Sequence, residues 1–152
     1  MNLNETHAAL SGLEQLRAMI GSGGRPPIAA TLDFRLAEVE KGRAVWVGTP
    51  GAHAYNPLGA IHGGYAATLL DSACGCAVHA SLSAEQAYTT LELKVSYHRG
   101  LTVDSGPVRA EGVATTVGRR VAFAEAKLFD SQGRLCASAS STLLVFARSP
   151  ER

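Results

Sequence analysis

The chain has 152 residues, 46% apolar and 18% charged, which is enough for one domain with a real core and too apolar for disorder. Its 14 basic and 13 acidic residues leave a formal charge of +1, with Arg119 and Arg120 only a local basic point, so neither a nucleic acid nor a membrane is expected as partner. Three cysteines, Cys74, Cys76 and Cys136, with a C-x-C pair at helical spacing, make a poor disulfide framework and read as buried small residues of a reducing cytosol.

The opening "MNLNETHAAL" carries Glu5 and lacks the basic start and apolar run of a signal peptide, so a cytoplasmic setting is expected. From Thr6 to Ile20, the residues Leu10, Leu13, Leu16 and Ile20 recur near helical spacing and predict a helix, with Thr6 as its cap. "GSGGRPP" ends it in a loop. "IAATLDFRLAEVEKG" and "RAVWVGTP" read as a strand pair turning at Lys41-Gly42, with Phe34 and Trp46 as core or interface residues. A loop, "AHAYNPLGAIHGG", follows.

"GAIHGGYAATLLDSACGCAV", Gly59 to Val78, then runs into a helix reaching about Ala80. It is broken by Asp71 and too short to span a bilayer. Beyond it, "TTLELKVSYHR" alternates, with Leu91, Leu93, Val95 and Tyr97 on one face. "GPVRAEGVATTV", "RRVAFAEAKLFD" and "LCASASSTLLVFA" predict three more strands in a meander, separated by turns at Val117-Gly118 and "DSQGR". Helix, two strands, long helix and four strands predict an α+β fold, an antiparallel sheet wrapped around a long central helix. Because that helix is apolar almost all round, a second subunit is expected over the surface the sheet leaves open.

Asp71 is the anomaly in this helix. Gly64, Thr68, Asp71 and Gly75 fall near one line, while Ala66, Leu69, Leu70, Ala73 and Ala77 fall opposite. Small neighbours leave room for a partner backbone or a ligand. The acid is either an exposed or locally bonded residue of the ordinary kind, or a carboxylate held in a cleft as nucleophile or general base. Asp is a poor helix-interior residue, so tertiary context or function must compensate. The helix opens at His62-Gly63-Gly64. The first amides of a helix lack intrahelical partners and sit at the positive end of its dipole, where they can hold a developing oxyanion. A carboxylate more than two turns on would reach the same carbonyl only if two chains pack their helices together.

The run N-P-L-G-A-I-H-G-G-x-x-x-x-x-L-x-D, Asn56 to Asp71, resembles the hotdog-fold acyl-CoA thioesterases, in particular the branch of phenylacetate degradation. The resemblance in layout covers about residues 28–147, with the helix at about 6–20 as an addition, all within one hotdog domain, 1–152. It implies that Asp71 is the nucleophile or water-directing base and that the Gly63 amide holds the thioester carbonyl. Asn56 and His62 would orient the thioester and its loop, and Thr90, neighbour of Thr89, would position the water. It further implies active sites between subunits of a homodimer or homotetramer, with acyl-CoA as substrate. Coenzyme A phosphates would find Arg99 and the Gly118-Arg119-Arg120 turn as partners. Ordinary solvated arginines remain the other reading of these.

His62 has a structural reading too, as a satisfied histidine. The spacing of His7, His53, His79 and His98 suggests no metal, and no bound cofactor is expected. The absence of a G-x-S-x-G elbow and of a P-loop argues against a serine hydrolase or an NTPase. The expected activity is hydrolysis of an aryl- or medium-chain acyl-CoA. A non-catalytic acyl-CoA- or ligand-binding hotdog protein is the alternative, and a dehydratase or isomerase of acyl thioesters is a third.

Overall fold

The computed structural model describes residue 3 and residues 7–149. Helix α1 spans Gly12–Gly21, α2 Pro27–Leu32 and α3 Gly63–His79; strands β1 to β6 span Phe34–Glu40, Arg43–Gly48, Gln86–Tyr97, Val108–Val117, Val121–Phe129 and Leu135–Ala147. The strands form one antiparallel sheet in the order β1-β2-β4-β5-β6-β3, so β1 and β3 are its edges. The α+β layout read from the sequence, a hotdog fold, is the one observed.

The sheet curls around α3, which packs against all six strands. Composition explains how closely. Along β5, Ala122, Ala124, Ala126 and Leu128 point inward and Val121, Phe123, Glu125 and Lys127 point out. The small inner row lets the helix settle deep. At Gly112 on β4 a Cβ would stand only 2.2 Å from the Ala73 carbonyl oxygen, so helix and sheet touch backbone to backbone there. Leu69, Leu70, Ala73, Cys74, Ala77 and Val78 have no exposed surface, and each buried leucine contributes about 1.5–3 kcal/mol. Phe34 and Trp46 meet edge to face in the core, ring centroids 5.3 Å apart.

Three details differ from expectation. Helix α1 starts at Gly12, not Thr6, because Ser11 and Glu14 form a reciprocal capping box: Ser11 N donates to Glu14 Oε2 at 2.8 Å, and Glu14 N to Ser11 Oγ. Thr6 lies outside the described residues. The apolar run after Pro27 is the short helix α2 and not strand, since Pro27 favours a first helical turn and Asp33, at φ 57°, ends it left-handed. In β3 a bulge between Thr90 and Glu92 throws Leu91 out of the alternation, leaving it 59% exposed.

The far end of α3 is tied to α1. Gln15 is fully buried; its Nε2 donates to the His7 and Leu10 carbonyls, so its Oε1 accepts from His79 Nε2 at 2.8 Å. Among the described residues, no helix is long and apolar enough to cross a membrane.

Candidate active site

The loop before α3 is built by Asn56. Its Oδ1 accepts from the Leu58 and Ala60 amides at 2.9 and 3.2 Å, and its own N–H donates to the Ala60 carbonyl. Gly59, at φ +82°, completes the turn. The Asn56 carbonyl group is thereby committed to the loop. His62 N donates to the Ala54 carbonyl and Ile61 N to that of Leu101, which fixes where the helix begins.

His62 is the N-cap: its Nδ1 accepts from the Gly64 amide at 2.8 Å. That bond sets the tautomer, with Nδ1 unprotonated. The amide ahead of it, Gly63 N–H, precedes the whole helical ladder and has no intrahelical acceptor. It stands at the positive end of a 17-residue helix. Tyr97, the last residue of β3, donates from its hydroxyl to the Gly63 carbonyl at 2.7 Å. Beside these groups lies a small, mostly apolar cavity of about 60 Å³, lined in part by His62, Gly63, Ala66, Tyr97, Arg99 and Cys136.

Asp71 sits two turns further along α3, half-buried. Its Oδ1 accepts from Thr90 Oγ1 at 3.0 Å, a charge-assisted bond from the strand residue beside the bulge. Gly75, the next small residue of the stripe, leaves no room for a ligand. Tyr88 of the same chain fills it, and a Cβ at 75 would lie 2.5 Å from the Tyr88 hydroxyl. Burial, with the Asp71 charge a smaller contributor, pushes the Cys74 thiol up to about 12, and burial pushes Cys76 equally far. Neither cysteine is a thiolate nucleophile at neutral pH.

The fold therefore groups the predicted residues into two clusters. Asn56, His62, Gly63 and Arg99 gather at the start of α3; Asp71 and Thr90 meet along its side. Eight residues of helix at 1.5 Å each separate Gly63 from Asp71 by about 12 Å within one chain. The arginines divide likewise. Arg99 borders the cavity beside Gly63, whereas the Gly118–Arg120 turn leads into β5, whose Val121 stands in register with Leu144 and Thr89 at the other end of β3. Tyr97 was not singled out from sequence. Its bond to Gly63 spans 34 positions, and nothing in local spacing marks it.

Comparison with known proteins adds a family and a fold. The family model described as the Thioesterase superfamily matches residues 58–137, which include His62, Gly63, Asp71 and Thr90. A thioesterase family protein from Silicibacter pomeroyi superposes with TM-score 0.79 at 24% identity, over 91% of this chain and 100% of that one. A mutant of the phenylacetic acid degradation protein PaaI from Thermus thermophilus gives 0.71 at 26% identity, over 78% and 98%. A Streptococcus mutans protein bound to acetyl CoA gives 0.69 at 21% identity, over 78% and 92%.

Proposed function

From the premise that this chain belongs to the thioesterase superfamily, we propose that it is an acyl-CoA thioesterase acting on an aryl- or medium-chain acyl group. The observation that carries the reading is Asp71: a half-buried carboxylate, oriented by Thr90 at 3.0 Å, on the helix whose first unpartnered amide is that of Gly63. The acetyl CoA held by one fold neighbour supports the substrate class.

Asp71 removes a proton from a water that Thr90 helps to place, and the hydroxide oxygen bonds to the thioester carbonyl carbon. The carbonyl electrons move to oxygen, where the Gly63 N–H and the helix dipole stabilise the charge. Collapse breaks the C–S bond, and the proton on Asp71 goes to the departing thiolate of coenzyme A. Direct attack by the carboxylate, forming an anhydride that water then opens, uses the same residues. Asn56 and His62 shape the donor loop. Arg99 and the Gly118, Arg119 and Arg120 turn supply cations for the phosphates of coenzyme A.

Within one chain the donor and the carboxylate stand about 12 Å apart, too far to serve one carbonyl. The active site is therefore completed by a second copy, in a homodimer or homotetramer, with Asp71 of one protomer facing the Gly63 amide of another. The same surfaces could hold an acyl-CoA without cleaving it, but the Thr90–Asp71 bond favours hydrolysis. Release of free thiol from a panel of acyl-CoAs, read with a thiol-reactive dye, is the test: no release from any member would leave a binding protein.

A further inference from the structure

The peptide joining Gly63 to Gly64 is held at both ends by side chains. Its carbonyl accepts from Tyr97 Oη at 2.7 Å and its N–H donates to His62 Nδ1 at 2.8 Å. The preceding peptide is held as well, because the His62 carbonyl accepts from Tyr65 N at 2.9 Å. Both glycines lie close against the rings that do the holding. A Cβ at Gly63 would lie 3.0 Å from Tyr97 Oη, and one at Gly64 would lie 2.8 Å from His62 Nδ1. Two consecutive glycines have little backbone preference of their own. The Gly63 N–H belongs to the preceding peptide, hinged to the braced one at the Gly63 Cα, and of these three bonds that of Tyr97 alone comes from beyond the helix and its cap.

We propose that Tyr97 is a positioning residue for the Gly63 amide, bracing the first turn of α3 against the edge strand β3. This rests on the reading of Gly63 as the donor to the thioester carbonyl. A donor lowers the barrier in proportion to how well it is fixed before charge develops. A loss of aim by a fraction of an ångström leaves binding almost untouched and slows the chemical step. Tyr97 is 56% exposed, so water replaces the hydroxyl in a Phe variant, and the ring that covers Gly63 stays. Folding is thus separable from function at this position.

The test is Tyr97→Phe. Hydrolysis is followed with acetyl-, hexanoyl- and phenylacetyl-CoA, and hydrogen exchange of the Gly64 amide is measured in the same protein. The expected result is a fall in kcat of about tenfold on whichever probes the wild type cleaves. KM should stay within about twofold. Exchange at Gly64 should rise about tenfold, since the peptide has lost its brace from the sheet and keeps only bonds from the helix and its cap. An unchanged kcat, or an effect confined to KM, overturns the proposal, and so does unchanged exchange at Gly64. The reading of the site is checked separately: a wild type that cleaves no probe, or full activity in Asp71→Asn, refutes that reading, and the exchange measurement still decides whether Tyr97 braces the peptide.

Discussion

Replacing Asp71 by Asn is the sharpest perturbation of the proposed chemistry. The two side chains have the same shape, and an Asn Oδ1 can keep the 3.0 Å bond from Thr90 Oγ1. That bond passes from charge-assisted to neutral, a loss of about 1 kcal/mol. For a chain of this size it lowers the melting point by about 2–4 °C. What disappears is the group that accepts a proton or attacks carbon, a contribution of about 10²–10⁴ in rate. The activation barrier rises accordingly by about 2.7–5.4 kcal/mol. The effect on catalysis thus exceeds that on stability by well over a factor of two, so the assays separate them. Thiol release gives the rate, a thermal melt the folding, and a solution mass the assembly. A folded Asn variant that keeps more than about a tenth of the wild-type kcat would refute the assignment of Asp71 to proton transfer or attack.

Thr90→Val preserves volume but withdraws the hydroxyl from Asp71; kcat on a cleaved acyl-CoA should fall about tenfold, and no change would remove Thr90 from the site. Gly112→Ala places a methyl 2.2 Å from the Ala73 carbonyl oxygen, a backbone atom that cannot step aside; the loss should be about 3 kcal/mol, seen as about 6–12 °C in a thermal melt. Burial, and then the Arg148 charge, lower His79 from its ordinary 6.5 to about 4, and its buried Nδ1 has no hydrogen-bond partner among the described residues. The unfolded chain therefore binds a proton that the folded one refuses. Stability present above pH 6.5 should be lost between there and pH 4, by at most about 3 kcal/mol, with Gln15, Tyr88 and Arg148 as the surrounding groups. His79→Gln should flatten the part of the melting profile that separates it from wild type, and parallel profiles would contradict the argument.

The long helix was legible because one feature, continuous apolar and small residues after His-Gly-Gly, dominates that stretch. The strands after it were legible because period-two alternation runs through residues 108–147. Asp71 stood out as a charge in an apolar run, whereas its bond from Thr90 depends on how β3 lies beside α3. Other features were decided by competition that local pattern does not display. Leu10 extended the helical periodicity of the first segment upstream, although the signal that starts the helix was present as Ser11 and Glu14. The run Ile28–Leu32 was read as continuous with the strand that follows, but Pro27 and the left-handed Asp33 set it apart as a helical turn. The stripe position at Gly75 read as open space, yet Tyr88 from another element occupies it. The contact of Tyr97 with Gly63 depends on β3 pairing with β6 at the sheet edge, a property of the whole topology.

The backbone contact between Ala73 and Gly112 also bears on how the molecule accommodates different guests. With no side chain as a cushion between helix and sheet, α3 cannot slide or tilt without collision. Under the proposed function, adaptation to acyl groups of different bulk then falls to residues away from this contact and from the Tyr97 brace. A stiff spine of this kind lets substrate range drift through changes at the margin while the reacting groups keep their places.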